Sequence, residues 1–247
     1  MIPMGTLINV LLILVGGTVG LVFKKAVSKN IEYSIHKATG IAVAVIGLCG
    51  ILSNMLSVGE DGKISSSGEL MLVVSLFIGT FLGEILKLDD RLNNGCKKIE
   101  SKFKMSDFSA GFISATMIYC IGAMAIVGAI NDGLMHDSST LITKGIIDGI
   151  TSVILAASLG YGVLLSAIPV LIYQGTITLL ASSLQNVLTG ELLTNICMIG
   201  YALVICIGIN FLYNSKKQIK TVNMLPSLLV PIAYKLILML IDFIKSR

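Results

Sequence analysis

Charge is what this 247-residue chain has least of: 13% of its residues are Asp, Glu, Lys or Arg, about half the share of a soluble domain. With 55% hydrophobic residues and a mean hydropathy of +0.91, that excludes an ordinary water-soluble core. Tryptophan is absent, so an aromatic belt at the membrane interface must come from residues such as Tyr33 and Tyr213. Five scattered cysteines include no CxxC pair, which supports neither a disulfide framework nor a zinc site. The two histidines, His36 and His136, lie far apart and give no basis for a metal site. GxxxxGK[ST], HExxH and GxSxG are all missing, as is any paired nucleophile and base, so the chain reads as a non-enzyme with no cofactor. The basic segments are not regularly interleaved with aromatics, Phe103 between Lys102 and Lys104 being an isolated case, and nucleic acid is not expected as a partner.

Apolar runs dominate what remains. A span needs about 20 apolar residues, and the runs near 5–23, 39–58, 69–86, 107–130, 141–160, 161–184, 192–213 and 222–244 predict seven or eight spans. The fold class is therefore all-α: a single polytopic transmembrane helical bundle over residues 1–247, with some spans broken at Pro or Gly. Residues 1–5 include no basic stretch, so the first run is read as a retained span and not a cleaved signal. Pro226 and Pro231 interrupt the last run, and whether it crosses fully stays open.

Orientation follows from the lysines and arginines. With the N-terminus outside, the inner loops collect 13 of the 18 basic residues: those from Lys24 to Lys37, from Lys87 to Lys104, and from Lys216 to Lys220. The positive-inside rule then places the chain in a bacterial cytoplasmic membrane with the N-terminus outside. Within the second inner segment, Leu88, Leu92, Ile99 and Phe103 recur at helical spacing among Lys97, Lys98, Lys102 and Lys104. That pattern fits either a helix on the anionic leaflet, interrupted at Asn93-Asn94-Gly95, or a solvated loop.

Glycines spaced by four, Gly16/Gly20, Gly79/Gly83 and Gly145/Gly149, put small residues on one helix face and let backbones approach closely. Such faces serve packing within the chain or a homo-oligomer equally well.

Further residues carry a resemblance. Gly5-Thr6-Leu7-Ile8-Asn9, then Gly16-Gly17-x-x-Gly20, resembles the opening of the domain-of-unknown-function family number 554, the YdfK/YqgA-type bacterial membrane proteins. The likeness continues through Gly122–Gly128, Asn131-Asp132-Gly133, Lys144–Gly149, Ser158–Gly162, Tyr173-Gln174-Gly175 and Val222–Pro226, in family order over nearly the whole chain. It implies a transporter-like architecture and brings no substrate, reaction or catalytic residue with it.

Polar residues inside the apolar runs are the candidates for function, because a charge at the centre of a bilayer costs roughly 2.5–3.5 kcal/mol on insertion scales. Asp148 lies about eight residues into its run, with Lys144 one helical turn earlier, so the two can pair. They read either as an ion-coupling site or as a neutralised packing pair. Gln174 follows Pro169 in the next run, with Thr178 one turn on, and reads either as part of a substrate-lining stripe or as an interhelical hydrogen bond at a kink; Asn9 in the first run reads first as a bond to another helix. Asn131-Asp132-Gly133 reads as a turn, with Asp132 a candidate for an outer vestibule near Asp148. Asn223, beside Pro226, marks an unwound segment with free carbonyls. Lys235 lies centrally in the last run and needs a partner there.

Two functions follow. A transporter or channel for a small ion or small solute would use Asp148, Lys144, Asp132, Gln174, Asn9 and Asn223, with a polar cavity reaching Asp148. A scaffold or regulator would instead keep a dry core and present its basic inner face to lipid headgroups or a partner.

Overall fold

In the computed structural model of the chain, residues 3–26, 29–103, 108–120, 123–184, 190–213 and 218–245 are described. Apolar residues without long β-branched runs wind into helices wherever lipid would leave backbone groups unpaired. The order is α1 (Met4–Ala26), α2 (Lys29–Met55), α3 (Glu69–Leu86), α4 (Leu88–Phe103), α5 (Phe108–Cys120), α6 (Ala123–Met135) and α7 (Ser139–Leu159). There follow α8 (Gly162–Leu165), α9 (Ala167–Leu179), α10 (Ala181–Leu184), α11 (Gly190–Leu212), a 3-10 helix (Thr221–Leu229) and α12 (Val230–Lys245). Seven of these helices or helix runs are long and apolar enough to cross a membrane, or eight if the bent pair α5/α6, with 60° between its halves, is counted as one span.

Backbone contacts through glycine hold the bundle. A Cβ on Gly16 would lie 2.0 Å from the Gly149 carbonyl oxygen, and one on Gly20 would lie 2.3 Å from that of Val153. Gly5 meets Leu141, and Lys24 donates to the Ser158 carbonyl at 3.5 Å, so α1 and α7 run side by side in the same direction. Gly83 packs on the Asn223 carbonyl and Gly79 on Ser227, which sets α3 antiparallel to the 3-10 helix. Gly40 and Gly47 bring α2 antiparallel to α11. The three expected glycine faces are thus all filled from within the chain.

The start of α1 defines an N-terminal face of the bundle; Lys24, Lys37, Lys87, Arg91 and Lys220 gather toward the other, basic face. There Lys37 donates to the last carbonyls of α11, Phe211 at 3.1 Å and Leu212 at 2.6 Å, a favourable place for a cation at the negative end of a helix. Lys220 stands 3.9 Å from Glu84 and 3.7 Å from Asp90.

Several expectations are corrected. α2 stops at Met55 and yields to a short antiparallel hairpin, β1 (Leu56–Val58) and β2 (Ile64–Ser66), turned by Gly59 and by Gly62 at φ +74°. Asn131-Asp132-Gly133 is helical, because α6 runs on to Met135. α4 passes through Asn93-Asn94-Gly95 without a break; the side chains of Lys97, Lys102 and Lys104 lie outside the described residues. Asn223–Pro226 is wound as a 3-10 helix instead of unwound. At about 2.0 Å per residue that helix covers the depth quickly. Tyr234 already lines a cavity with Asn54, Gly68 and Glu191 at the N-terminal face. Lys235 therefore lies near that face and not mid-membrane.

Gly16→Ala is expected to lower stability by about 1–3 kcal/mol, because overpacking against a backbone carbonyl cannot relax through a side chain. Gly95 supplies the control, since a Cβ there would meet nothing within 4 Å: Gly95→Ala leaves thermal unfolding in detergent unchanged or raises its midpoint. Equal midpoints for the two variants would contradict the packing.

Candidate functional site

Three helices bring four polar side chains together. Asn9 faces α7 because Gly145 leaves room: a Cβ there would lie 3.0 Å from the Asn9 Cα. Lys144 and Asp148, one turn apart on α7, are buried and form an ion pair with each other. The Asn9 amide stands beside the Asp148 carboxylate and donates from Nδ2 to Gln174 Oε1 at 3.0 Å. At about 1.5 Å rise per residue, the four lie some 8–14 Å in from the N-terminal face.

The charges match but the amides do not. Asn9 Oδ1 and Gln174 Nε2 are buried and have no hydrogen-bond partner among the described residues. Reversing both amides would still leave a spare donor group and a spare acceptor, and would turn the Asn9 carbonyl oxygen against the Asp148 carboxylate. The same holds further outward: the Thr6 and Thr178 hydroxyls, about one turn out, and Asp132 Oδ2 beyond them are buried without partners among the described residues. Asp132 accepts from Ser138 at 2.5 Å, and the neighbouring Gly133 packs against the Thr178 carbonyl. Unpartnered polar atoms thus run as a stripe from Asp132 at the N-terminal face down to Asn9 and Gln174. Buried polar groups are nearly always paired, so a row of exceptions on facing helices is informative.

Not every expected residue joins the site. Asp132 engages Ser138 and stays about 15 Å along α7 from Asp148, taking 1.5 Å per residue, so the two carboxylates do not meet. Asn223 belongs to the basic face, where its Oδ1 accepts the Asp89 backbone N–H at 2.7 Å and anchors the start of α4. Pro169 sits in the first turn of α9, where no helical hydrogen bond is lost, so the break falls before it at Ser166.

Other residues at the site were not anticipated. Tyr119 and Ser152, which is one turn past Asp148, share a hydrogen bond of 2.7 Å deep in the bundle. Cys120, the last residue of α5, follows Tyr119 directly and so lies near this turn of α7. It also lines an apolar cavity of about 160 Å³ with Thr116, Ile126, Tyr173, Cys197 and Leu225. A second, more polar cavity of about 180 Å³ opens at the basic face among Asp89, Asn93, Ser109, Ser114, Asn210 and Lys220. Neither charge of the ion pair lines these two cavities, and both charges are buried against each other, so the polar cavity reaching Asp148 that a transporter leads one to expect is not among them.

Comparison with known proteins places the chain. Residues 4–236 match the family described as "Protein of unknown function (DUF554)", and the chain belongs to that family. It is 33% identical over 227 residues to "Uncharacterized membrane protein YdfK" of Bacillus subtilis (strain 168), covering 92% of this chain and 93% of the relative. It is 28% identical over 233 residues to "Uncharacterized protein YqgA" of Escherichia coli (strain K12), with the same coverage of each. No solved structure matches the chain. The protein is thus a multi-helix membrane protein of this family.

A closed buried pair has a definite energetic signature. Lys144→Met and Asp148→Leu should each destabilise by about 3–5 kcal/mol, since each strands the opposite charge, while the double variant recovers most of the loss. Denaturant unfolding in micelles measures all three. Additive losses in the double variant would show that the two charges are not coupled.

Proposed function

We propose that this member of the family is a carrier for a small ion or small solute, with its binding site at Asn9, Lys144, Asp148 and Gln174 and Asp132 at the mouth. The observation that supports it best is the stripe of buried, unpartnered polar atoms leading from Asp132 to an ion pair inside an apolar bundle. Ionisable groups inside a membrane are costly and usually mark a site or pathway. A stripe with spare donors and acceptors is poor packing but serves a passing polar guest. The span α5/α6, broken beside Cys120, supplies the discontinuous helix on which transporters commonly build sites at mid-depth. The closed pair then corresponds to an occluded arrangement that opens as solute replaces the partner charge.

The lysine distribution supports a cytoplasmic-membrane location with the N-terminal face outside. Lys24 and Lys37 at helix C-termini, with Lys87, Arg91 and Lys220 nearby, support a cytoplasmic position for the basic face. On that orientation the buried stripe leads toward the exterior, and the polar cavity at Asp89 and Lys220 faces the interior. The role is binding and passage, with no bond made or broken. The closed pair also favours a second reading, a non-transporting scaffold whose basic face meets anionic lipid or a partner; it requires that no solute binds.

A thermal-unfolding screen of the purified chain against inorganic ions, organic acids and amino acids separates the two. A solute at roughly 100 times its dissociation constant adds about 2.7 kcal/mol of stability. The carrier reading expects at least one such solute, with the shift lost in Asn9→Ala. A panel in which nothing stabilises the wild type would favour the scaffold.

A further inference from the structure

We infer that the solute is a zwitterion of the amino-acid type, one carboxylate and one ammonium group on a small apolar body, an inference that rests on the carrier reading above. Charge balance comes first. Lys144 and Asp148 are buried and neutralise one another. A guest with net charge would leave an uncompensated ion in the apolar bundle, which is strongly unfavourable. An inorganic cation at Asp148 strands Lys144, and a simple carboxylate at Lys144 strands Asp148. A neutral polyol keeps the balance but offers only uncharged hydrogen bonds in exchange for a charge-assisted one. A zwitterion replaces the single internal pair with two, carboxylate to Lys144 and ammonium to Asp148, at zero net charge.

The neutral groups complement the same guest. The Asn9–Gln174 amide pair keeps one spare donor and one spare acceptor, the set needed by a carboxylate oxygen and an ammonium hydrogen left over from the ionic contacts. The body of the guest has its own place. The cavity of about 160 Å³ beside Cys120 is lined chiefly by apolar groups, including Ile126, Cys197 and Leu225, and the adjoining Tyr119 bonds Ser152, one turn past Asp148. Drug-sized ligands fill about 300–1,000 Å³, so a space of this size admits a short aliphatic side chain and little more. The apolar pocket thus lies near the charged pair, at the end of α5, and neither charge lines it.

Calorimetric titration of the full-length protein in detergent tests the class with glycine, L-alanine and L-leucine against propionate, propylamine, potassium chloride and glucose. The expected result is heat of binding for the amino acids and none for the four controls, with Asn9→Ala weakening the amino acids at least tenfold. Cys120→Leu, which fills the cavity, should weaken leucine at least tenfold and glycine less than threefold; Thr116→Leu is the second filling variant should the first not fold. Binding of propionate, propylamine, potassium or glucose without the amino acids, lost in Asn9→Ala, would overturn the zwitterion and leave the carrier reading standing. Leucine binding unchanged in a folded filling variant would overturn the placement of the apolar body. Amino acids that give no heat, in a protein that no solute of the wider screen stabilises, would overturn both readings.

Discussion

Backbone contact between α1 and α7 is the constraint on which the site depends. Gly16 and Gly20 meet the carbonyls of Gly149 and Val153 with no room for a side chain, so the two helices touch backbone to backbone along half their length. Gly145 extends the contact toward the N-terminal face and seats Asn9 on the turn between Lys144 and Asp148. Lipid supplies no hydrophobic drive between helices, so close dispersion contact and interhelical hydrogen bonds must supply it. In this chain both come from one seam: glycine brings the backbones together, and the same approach places an amide beside a carboxylate.

That seam also explains why so polar a group can be carried at all. An ion pair at one-turn spacing needs no neighbouring helix to neutralise it, so α7 can enter the bundle with its charges already matched. What α1 and α9 add is a pair of amides whose hydrogen bond to each other leaves half of their capacity unused. A core selected only for stability would satisfy or omit such groups. The surplus is concentrated on the side of the site that faces Asp132, and the apolar cavity lies beside Cys120. A stripe of spare polar groups leading to one neutral ion pair, with an apolar pocket nearby, is the arrangement from which the proposed function follows.

Much of this is legible in the chain itself, and the misses have physical causes. Apolar run length places α3 at Glu69–Leu86 to the residue, because Gly68 at φ +89° and Lys87 at φ +51° end it sharply. The spacing of Lys144 and Asp148 foretells their pairing, and Gln174 with Thr178 foretells a polar stripe. Local turn chemistry misleads at Asn131-Asp132-Gly133, where Gly133 packing on Thr178 and the bond from Ser138 to Asp132 accompany a helix that runs on. Asn223 could not be placed by spacing, since its partner at Asp89 is 134 residues away. Tyr119 with Ser152 was hidden for a similar reason, although a lone tyrosine hydroxyl in an apolar run always needs a partner.

The central claim is that the closed site opens to water on the outer side during a working cycle. Substituting Gln174→Cys in a chain whose five native cysteines are replaced by alanine, and treating intact cells with a small membrane-impermeant thiol reagent, measures this directly. The account predicts slow but complete labelling at position 174 from outside, with Asp61→Cys in the hairpin loop labelled at once and Lys98→Cys on the basic face not labelled. A position 174 that stays unlabelled while the hairpin cysteine reacts would mean that the pair and its amides are a permanent packing element, and the carrier account would fail.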